Sequence, residues 1–158
     1  MASPALIAAA LAVLAPQGPQ SPLAVAKKML SGYKKAMIDE DLGFFEKHST
    51  PDMIFVDAQG RKMARKDALE GVKQGFAMTT KIHHLDEKVV SARRTKEGVL
   101  SIGDVSMEST VNMGGKPGKL VSRMRIESLI VPKGKDWQYK RITLLKEDAK
   151  IDGKPAGM

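Results

Sequence analysis

The sequence predicts an α+β fold in which three N-terminal helices pack on a strongly curved antiparallel sheet. Apolar residues recur at steps of three and four between Leu23 and Phe76, which is typical of amphipathic helices. From Lys81 onward the pattern changes to strands, and three glycine-containing turns divide that half of the chain into four. A length of 158 residues, 42% of them hydrophobic, is that of one globular domain.

The N-terminal segment has the pattern of an export signal. The first 26 residues carry no charged side chain, and residues 5–15 form an apolar run that ends at Pro16. The run is too short to span a bilayer and resembles the apolar core of a signal peptide. We therefore expect a signal peptide with a short linker over residues 1–20, a domain over 21–148 and a C-terminal tail over 149–158. The protein is predicted to be exported, periplasmic or secreted, without a stable membrane anchor.

The first predicted helix begins at Ser21-Pro22, because serine can cap a free backbone N–H and proline suits the first helical position. One face of this helix is apolar and consists of Leu23, Ala26, Leu30, Tyr33 and Met37. A short second helix is expected from Leu42 to Lys47, followed by a strand from Met53 to Val56.

Asp57 and Gly60 then occupy the first and fourth positions of a type I turn. Beyond this turn, Leu69, Val72 and Phe76 form the apolar face of a third helix.

The second half of the chain is predicted to be a meander of four long strands, over residues 81–95, 99–113, 119–131 and 137–147. Strands of this length have to bend. In the second of them the apolar positions are even at Leu100 and Ile102 but odd from Val105 onward, and Gly103-Asp104 lies at the change of phase. We therefore expect a β-bulge at Gly103-Asp104.

This order of elements resembles the nuclear-transport-factor-2-like (NTF2-like) superfamily. The stretch from Leu30 to Val72, "LSGYKKAMIDEDLGFFEKHSTPDMIFVDAQGRKMARKDALEGV", is similar to the start of SnoaL-like and DUF4440-like domains, and "DWQYKRI" from Asp136 to Ile142 resembles their last strand. The resemblance implies a cone-shaped pocket between helices and sheet. The superfamily includes enzymes, accessory domains and proteins without known activity, so the fold alone does not select a function.

A more distant resemblance to ketosteroid isomerase implies three candidate catalytic residues. Asp57 would be the base, and Tyr33 and Glu127 would be the two donors to the developing oxyanion. Each residue also has a structural explanation: Tyr33 as core, Asp57 as the residue that a type I turn prefers, and Glu127 as part of a solvated ladder with Arg123 and Arg125. An isomerase or dehydratase-like enzyme is therefore the alternative hypothesis.

Strand parity divides the third strand of the meander into two faces. The first set, on one face, contains the charged residues: Arg123, Arg125, Glu127, Leu129 and Val131. The second set, on the other face, is uncharged: Ser122, Met124, Ile126, Ser128 and Ile130. If the first set faces inward, Arg123, Arg125 and Leu129 line the pocket and the uncharged second set forms a homodimer through the outer sheet face. If the reverse holds, the charged set is ordinary surface.

Composition removes several kinds of chemistry. The chain has no cysteine and three histidines. Two of them, His83 and His84, are adjacent, but neighbouring strand residues point to opposite faces, so the pair cannot easily bind one metal ion. We predict no metal and no cofactor. The net charge of +8 is spread over the chain, and with 4% aromatic residues it indicates solubility more than nucleic-acid binding. The leading hypothesis is an exported protein that binds a small apolar molecule in the cone or acts as a dimeric accessory domain.

Overall fold

The computed structural model describes residues 20–156, so the predicted signal peptide lies outside the described residues. Within that range the chain forms three helices, as expected: α1 (Pro22–Asp39), α2 (Leu42–Lys47) and α3 (Arg65–Met78). None of these helices is long and apolar enough to cross a bilayer. The strands of the described part are β1 (Ser49–Val56), β2 (Lys62–Ala64), β3 (Thr79–Arg94), β4 (Val99–Met113), β5 (Lys116–Lys133), β6 (Asp136–Ile151) and β7 (Lys154–Pro155).

These strands form one curved sheet in the order β2-β1-β6-β5-β4-β3, with β7 paired to β6. The predicted α+β class and the antiparallel β3–β6 meander are confirmed. One pairing was not expected: β1 lies parallel to β6, with Ile54 opposite Arg141 and Val56 opposite Thr143. The sheet is therefore mixed.

The last strand continues past the predicted end of the domain. β6 runs to Ile151, and the chain reverses at Asp152 and Gly153, which have φ angles of 51° and 78°. Asp152 stabilises this turn because one carboxylate oxygen accepts the backbone N–H of Lys119 at 2.9 Å. Part of the segment that the sequence suggested as a tail is thus paired with the sheet through β7.

Side chains on one face of the sheet, here called the inner face, pack against α1. Val25 and Met29 of α1 form a buried cluster with Val99, Ile130 and Tyr139. A second cluster of Leu30, Leu85 and Val105 includes the partly buried Tyr33, Met124 and Ile126 at its edge. The two clusters run along one side of α1, so the inner face is the core of the domain.

The expected bulge at Gly103-Asp104 is absent. β4 pairs with β5 in continuous register from Val99–Ile130 to Met113–Lys116, and the register shifts lie on β3 and β6 instead. Gly103 has a packing role: a Cβ atom there would lie 3.3 Å from Leu30 Cδ2, so glycine lets α1 approach the sheet closely. Leu100 and Ile102 belong to the outer face, opposite Leu129 and Glu127.

Candidate functional site

The space between α1 and the inner face is almost completely filled. The cavity that remains there has a volume of about 10 Å³, which is the room of one water molecule. Apolar side chains make up most of its lining, together with the Ser101 and Ser128 pair from β4 and β5 and with Tyr139 from β6. This cavity beside α1 is therefore too small for a small organic ligand.

Both tyrosines of the chain belong to this interior. The ring of Tyr33 contacts Phe45 edge to face, with ring centroids 5.9 Å apart, and packs at the edge of the Leu30 cluster. Burial raises the pKa of Tyr33 to about 12. Burial also raises the pKa of Tyr139. Tyr33 raises it further, because the charges of two ionised phenols would repel each other. Both phenols are thus held in the neutral form.

Asp57 is bound within its own turn at the end of β1. Its Oδ1 accepts the backbone N–H groups of Gln59 and Arg61, both at 2.9 Å, and its Oδ2 accepts from Arg61 Nε at 2.5 Å. Burial alone would raise the pKa of Asp57, but the hydrogen bonds from Arg61 and Gln59 outweigh it and lower the pKa below its usual value. A carboxylate in this setting is a weak base that stabilises the turn.

Glu127 is not brought together with Tyr33. It lies on β5 between Ile126 and Ser128, whose side chains face α1 and the interior cavity, so Glu127 belongs to the outer face. Its carboxylate is 3.8 Å from the Arg141 guanidinium of the neighbouring strand β6. The three residues suggested by the isomerase resemblance therefore occupy three environments: the interior, a surface turn and the outer face.

A concave region lies on the outer face, across the middle of β3 to β6. It is an open groove of about 610 Å³. Cross-strand register arranges its polar side chains in two rows. The first row is Lys88, Asp104, Arg125 and Lys146, and the second is Asp86, Ser106, Arg123 and Asp148. We call this feature the outer groove.

An ion pair between Arg125 and Asp104 lies in the centre of the outer groove. Arg125 Nε and Nη2 donate to the two carboxylate oxygens of Asp104 at 2.7 and 2.9 Å. The hydrogen bond from Arg125 is the main reason why the pKa of Asp104 is lowered, and Lys88 adds to the effect. Arg123, in the neighbouring row, has no carboxylate within 4 Å among residues 20–156.

The structure corrects the assignment of the two faces of β5. Ile130 is 1% exposed, and Ile126 and Met124 pack against the Leu30 cluster, so the uncharged set faces the helices. The pocket that Arg123 and Arg125 line is the outer groove and not the cone, and Leu129 is buried at one end of that face without lining the groove. The uncharged stripe cannot be an outer dimer surface, because α1 covers it.

Several groove residues were missed by sequence analysis, namely Asp86, Lys88, Asp104, Lys146 and Asp148. Each is an ordinary charged residue in a strand, and no local motif distinguishes it. The available signal was long-range: with the β4–β5 turn fixed at Gly114, pairing places Asp104 opposite Arg125. Within residues 20–156, no group of three metal-ligating side chains comes together.

Comparison with known proteins identifies the fold but not a family. No family model and no curated protein matches the sequence. A conserved protein from Planctomyces limnophilus is similar in structure, with a TM-score of 0.64 and 13% identity over 76% of this chain and 91% of the other. An NTF2-like protein from Cytophaga hutchinsonii has a TM-score of 0.57 and 9% identity, over 79% of this chain and 98% of the other.

A hexachlorocyclohexane dehydrochlorinase of type 2 also matches, with a TM-score of 0.60 and 12% identity over 85% of this chain and 92% of the other. These likenesses show that the chain has the NTF2-like fold. At such identities they extend to the arrangement of helices and strands, and not to a substrate or a partner.

Proposed function

We propose that this chain is an exported, non-catalytic protein of the NTF2-like fold that acts as a dimeric accessory domain through the outer face of its sheet. One observation carries the proposal: the cavity between α1 and the inner face has a volume of only about 10 Å³, whereas a groove of about 610 Å³ lies on the outer face. The sequence suggested two functions, assembly as an accessory domain and binding of an apolar molecule in the cone. The difference between these two volumes supports the first.

The outer groove has the charge pattern that a second copy would complement. Its two rows contain both signs, with Arg123 beside Asp148 and with Arg125 between Asp104 and Lys146. In a two-fold contact the same surface meets itself, so Arg123 of one copy can face Asp148 of the other. Complementary charges of this kind fix the register of an interface more than they add affinity. The half-buried Ile102 and Val121 on the same face add apolar area.

Enzymatic activity receives less support. An isomerase requires a base and two oxyanion donors around one reacting centre, and Asp57, Tyr33 and Glu127 do not share a cavity. The dehydrochlorinase shares the fold at 12% identity, which carries no residue over to this chain. Acid–base chemistry on a cyclic ketone is therefore the less favoured alternative.

Sedimentation velocity at micromolar concentration tests the proposal. We expect the protein to sediment as a dimer and Arg123→Asp to shift it toward monomer, because the substitution opposes Asp148 of the second copy. The double variant Arg123→Asp/Asp148→Arg restores opposite charges and should recover the dimer.

Lys116→Asp is the matched control, since it makes the same change of charge in the β5 hairpin away from the outer groove. A monomer for the unmodified protein at these concentrations contradicts the proposal. So does equal dissociation by Arg123→Asp and Lys116→Asp, since net charge and not the groove would then be responsible.

A further inference from the structure

Positive charge is concentrated at the end of the sheet that carries the turn between β3 and β4 and the turn between β5 and β6. Val99, which follows the first turn, lies opposite both Arg94 of β3 and Ile130 of β5. β5 ends three residues later, where Lys133 and Asp136 face each other across the second turn, so the two turns lie at the same end of the sheet. The exposed cations there are Arg93, Arg94 and Lys96 at the first turn and Lys133 and Lys135 at the second. We call this region the basic end.

Helix α1 adds to the basic end with its first turns. Val25 packs with Val99 and Ile130 in the core, which places the start of α1 beside the two turns. The exposed Lys28 reaches Asp136 at 3.6 Å, and Lys27 is exposed next to it. The cations are thus contributed by three separate elements.

Two acidic groups at this end are paired with cations, and a third, Asp52, lies close enough to Glu97 and Lys140 to act on both through its charge. Glu97 accepts from Lys140 Nζ at 2.7 Å, and Asp136 lies 3.6 Å from Lys28 and 3.4 Å from the His48 ring. Within residues 20–156, Arg93, Lys96, Lys133 and Lys135 have no carboxylate within 4 Å. The cations of the basic end outnumber the acidic groups, so this end keeps a net positive charge.

The chain enters the domain at the same place. The carbonyl oxygen of Gln20 accepts from Arg94 Nη2 at 2.6 Å, and its side-chain oxygen accepts from Trp137 Nε1 at 3.2 Å. These two hydrogen bonds hold Gln20, the residue before the helix cap Ser21, against the two turns.

We infer that the basic end is a docking surface for an anionic lipid bilayer. Exposed lysines and arginines on separate turns attract the negative surface of such a bilayer. Single-stranded nucleic acid is the less suitable partner, because binding it relies on aromatic rings that stack on bases. Trp137 is the one aromatic side chain of the two turns, and it is half-buried with its indole N–H bound to Gln20.

Co-sedimentation of the full chain with vesicles tests the inference. We expect binding to vesicles of phosphatidylcholine with one quarter phosphatidylglycerol, much weaker binding to pure phosphatidylcholine, and loss of the difference at high salt. Lys133→Glu/Lys135→Glu should weaken binding to the anionic vesicles at least about tenfold, since each surface cation contributes severalfold.

Lys116→Glu/Lys154→Glu is the matched control, with the same change in net charge on exposed residues in the β5 hairpin and β7. Arg93→Glu/Lys96→Glu gives a second, independent reversal at the other turn, so a folding defect in one variant does not decide the result. Equal weakening by the control overturns the inference.

Two further outcomes also overturn it. Equal binding to both kinds of vesicle would mean that binding does not depend on the positive charge of the basic end. Tighter binding to a DNA oligonucleotide than to the anionic vesicles at the same salt would identify a nucleic acid as the partner.

Discussion

Gly98 lies so close to Ile130 that a Cβ atom added at Gly98 would overlap the carbonyl oxygen of Ile130. Gly98 is buried at the end of the β3–β4 turn, where its N–H donates to Thr95 Oγ1 at 3.2 Å and its carbonyl accepts the Thr95 N–H at 2.7 Å. The opposing atom belongs to backbone in the centre of the sheet and cannot move aside as a flexible side chain could. This approach of two strands requires glycine.

Gly98→Ala should therefore lower the free energy of unfolding by about 2 kcal/mol or more, measured by urea denaturation. Gly71→Ala is the control: Gly71 is exposed in α3 and has no atom within 4 Å of an added Cβ, so alanine should stabilise the helix by up to about 1 kcal/mol. Equal stability of the two variants would contradict the close contact at Ile130.

Ile126→Lys tests which face of β5 is inside. Ile126 is half-buried against the cluster of Leu30, Leu85 and Val105, so lysine there would replace apolar contacts with the core by a charged group that has to be partly desolvated. We expect a loss of about 3 kcal/mol or more in the free energy of unfolding. Glu127→Lys, one residue further on the outer face, should change it by less than about 1 kcal/mol. The opposite ranking would reverse the assignment of the faces.

The order and type of the elements were predictable from the sequence, because they depend on local periodicity. Ser21 caps α1 as predicted, with its Oγ accepting the Ala24 N–H at 3.1 Å, and the alternation after Lys81 gave the meander. Strand parity alone did not fix the orientation of β5, because Leu129 and Val131 make one set apolar at its end, while Met124, Ile126 and Ile130 alternate with serines in the other. Only contact with α1 distinguishes them.

The phase change at Gly103 was misinterpreted for the same reason. Leu100 and Ile102 are apolar residues of the outer face, so their alternation against Val105 reflects two partly apolar faces and not an inserted residue. Candidate sites were harder still to predict. The pairing of Asp104 with Arg125 depends on strand register over 21 positions of separation, which no local pattern contains.

Asp57 should titrate below the usual value of about 3.9 for an aspartate. Its pKa is lowered in the folded state, so its contribution to stability is complete above about pH 3.9 and is lost as the pH falls through the folded-state pKa. Asp57→Asn should be less stable than the unmodified protein at pH 7, and the difference should shrink below about pH 4. NMR titration and urea denaturation at several pH values measure both effects. A difference that stays constant down to pH 2 would mean that the Arg61 and Gln59 hydrogen bonds do not depend on the charge of Asp57.

The two tyrosines should resist ionisation as long as the domain is folded. Burial raises the pKa of Tyr33 to about 12 and raises that of Tyr139 as well, whereas a tyrosine in an unfolded chain titrates near about 10. Stability contributed by the neutral phenols is therefore complete below about pH 10 and is lost as the pH rises from there toward the folded-state values.

Alkaline titration followed by phenolate absorbance and circular dichroism measures this directly. In native buffer we expect no phenolate near pH 10 and then a rise that coincides with loss of the circular dichroism signal, because the rings ionise when the core opens. In denaturant the full amplitude should appear near about pH 10, and Tyr33→Phe should halve it, since the chain has only two tyrosines. A native protein that shows full phenolate absorbance near pH 10 with unchanged circular dichroism would have its hydroxyls in contact with water. The cone would then be open to solvent, and the choice of the outer groove over the interior as the functional surface would lose its basis.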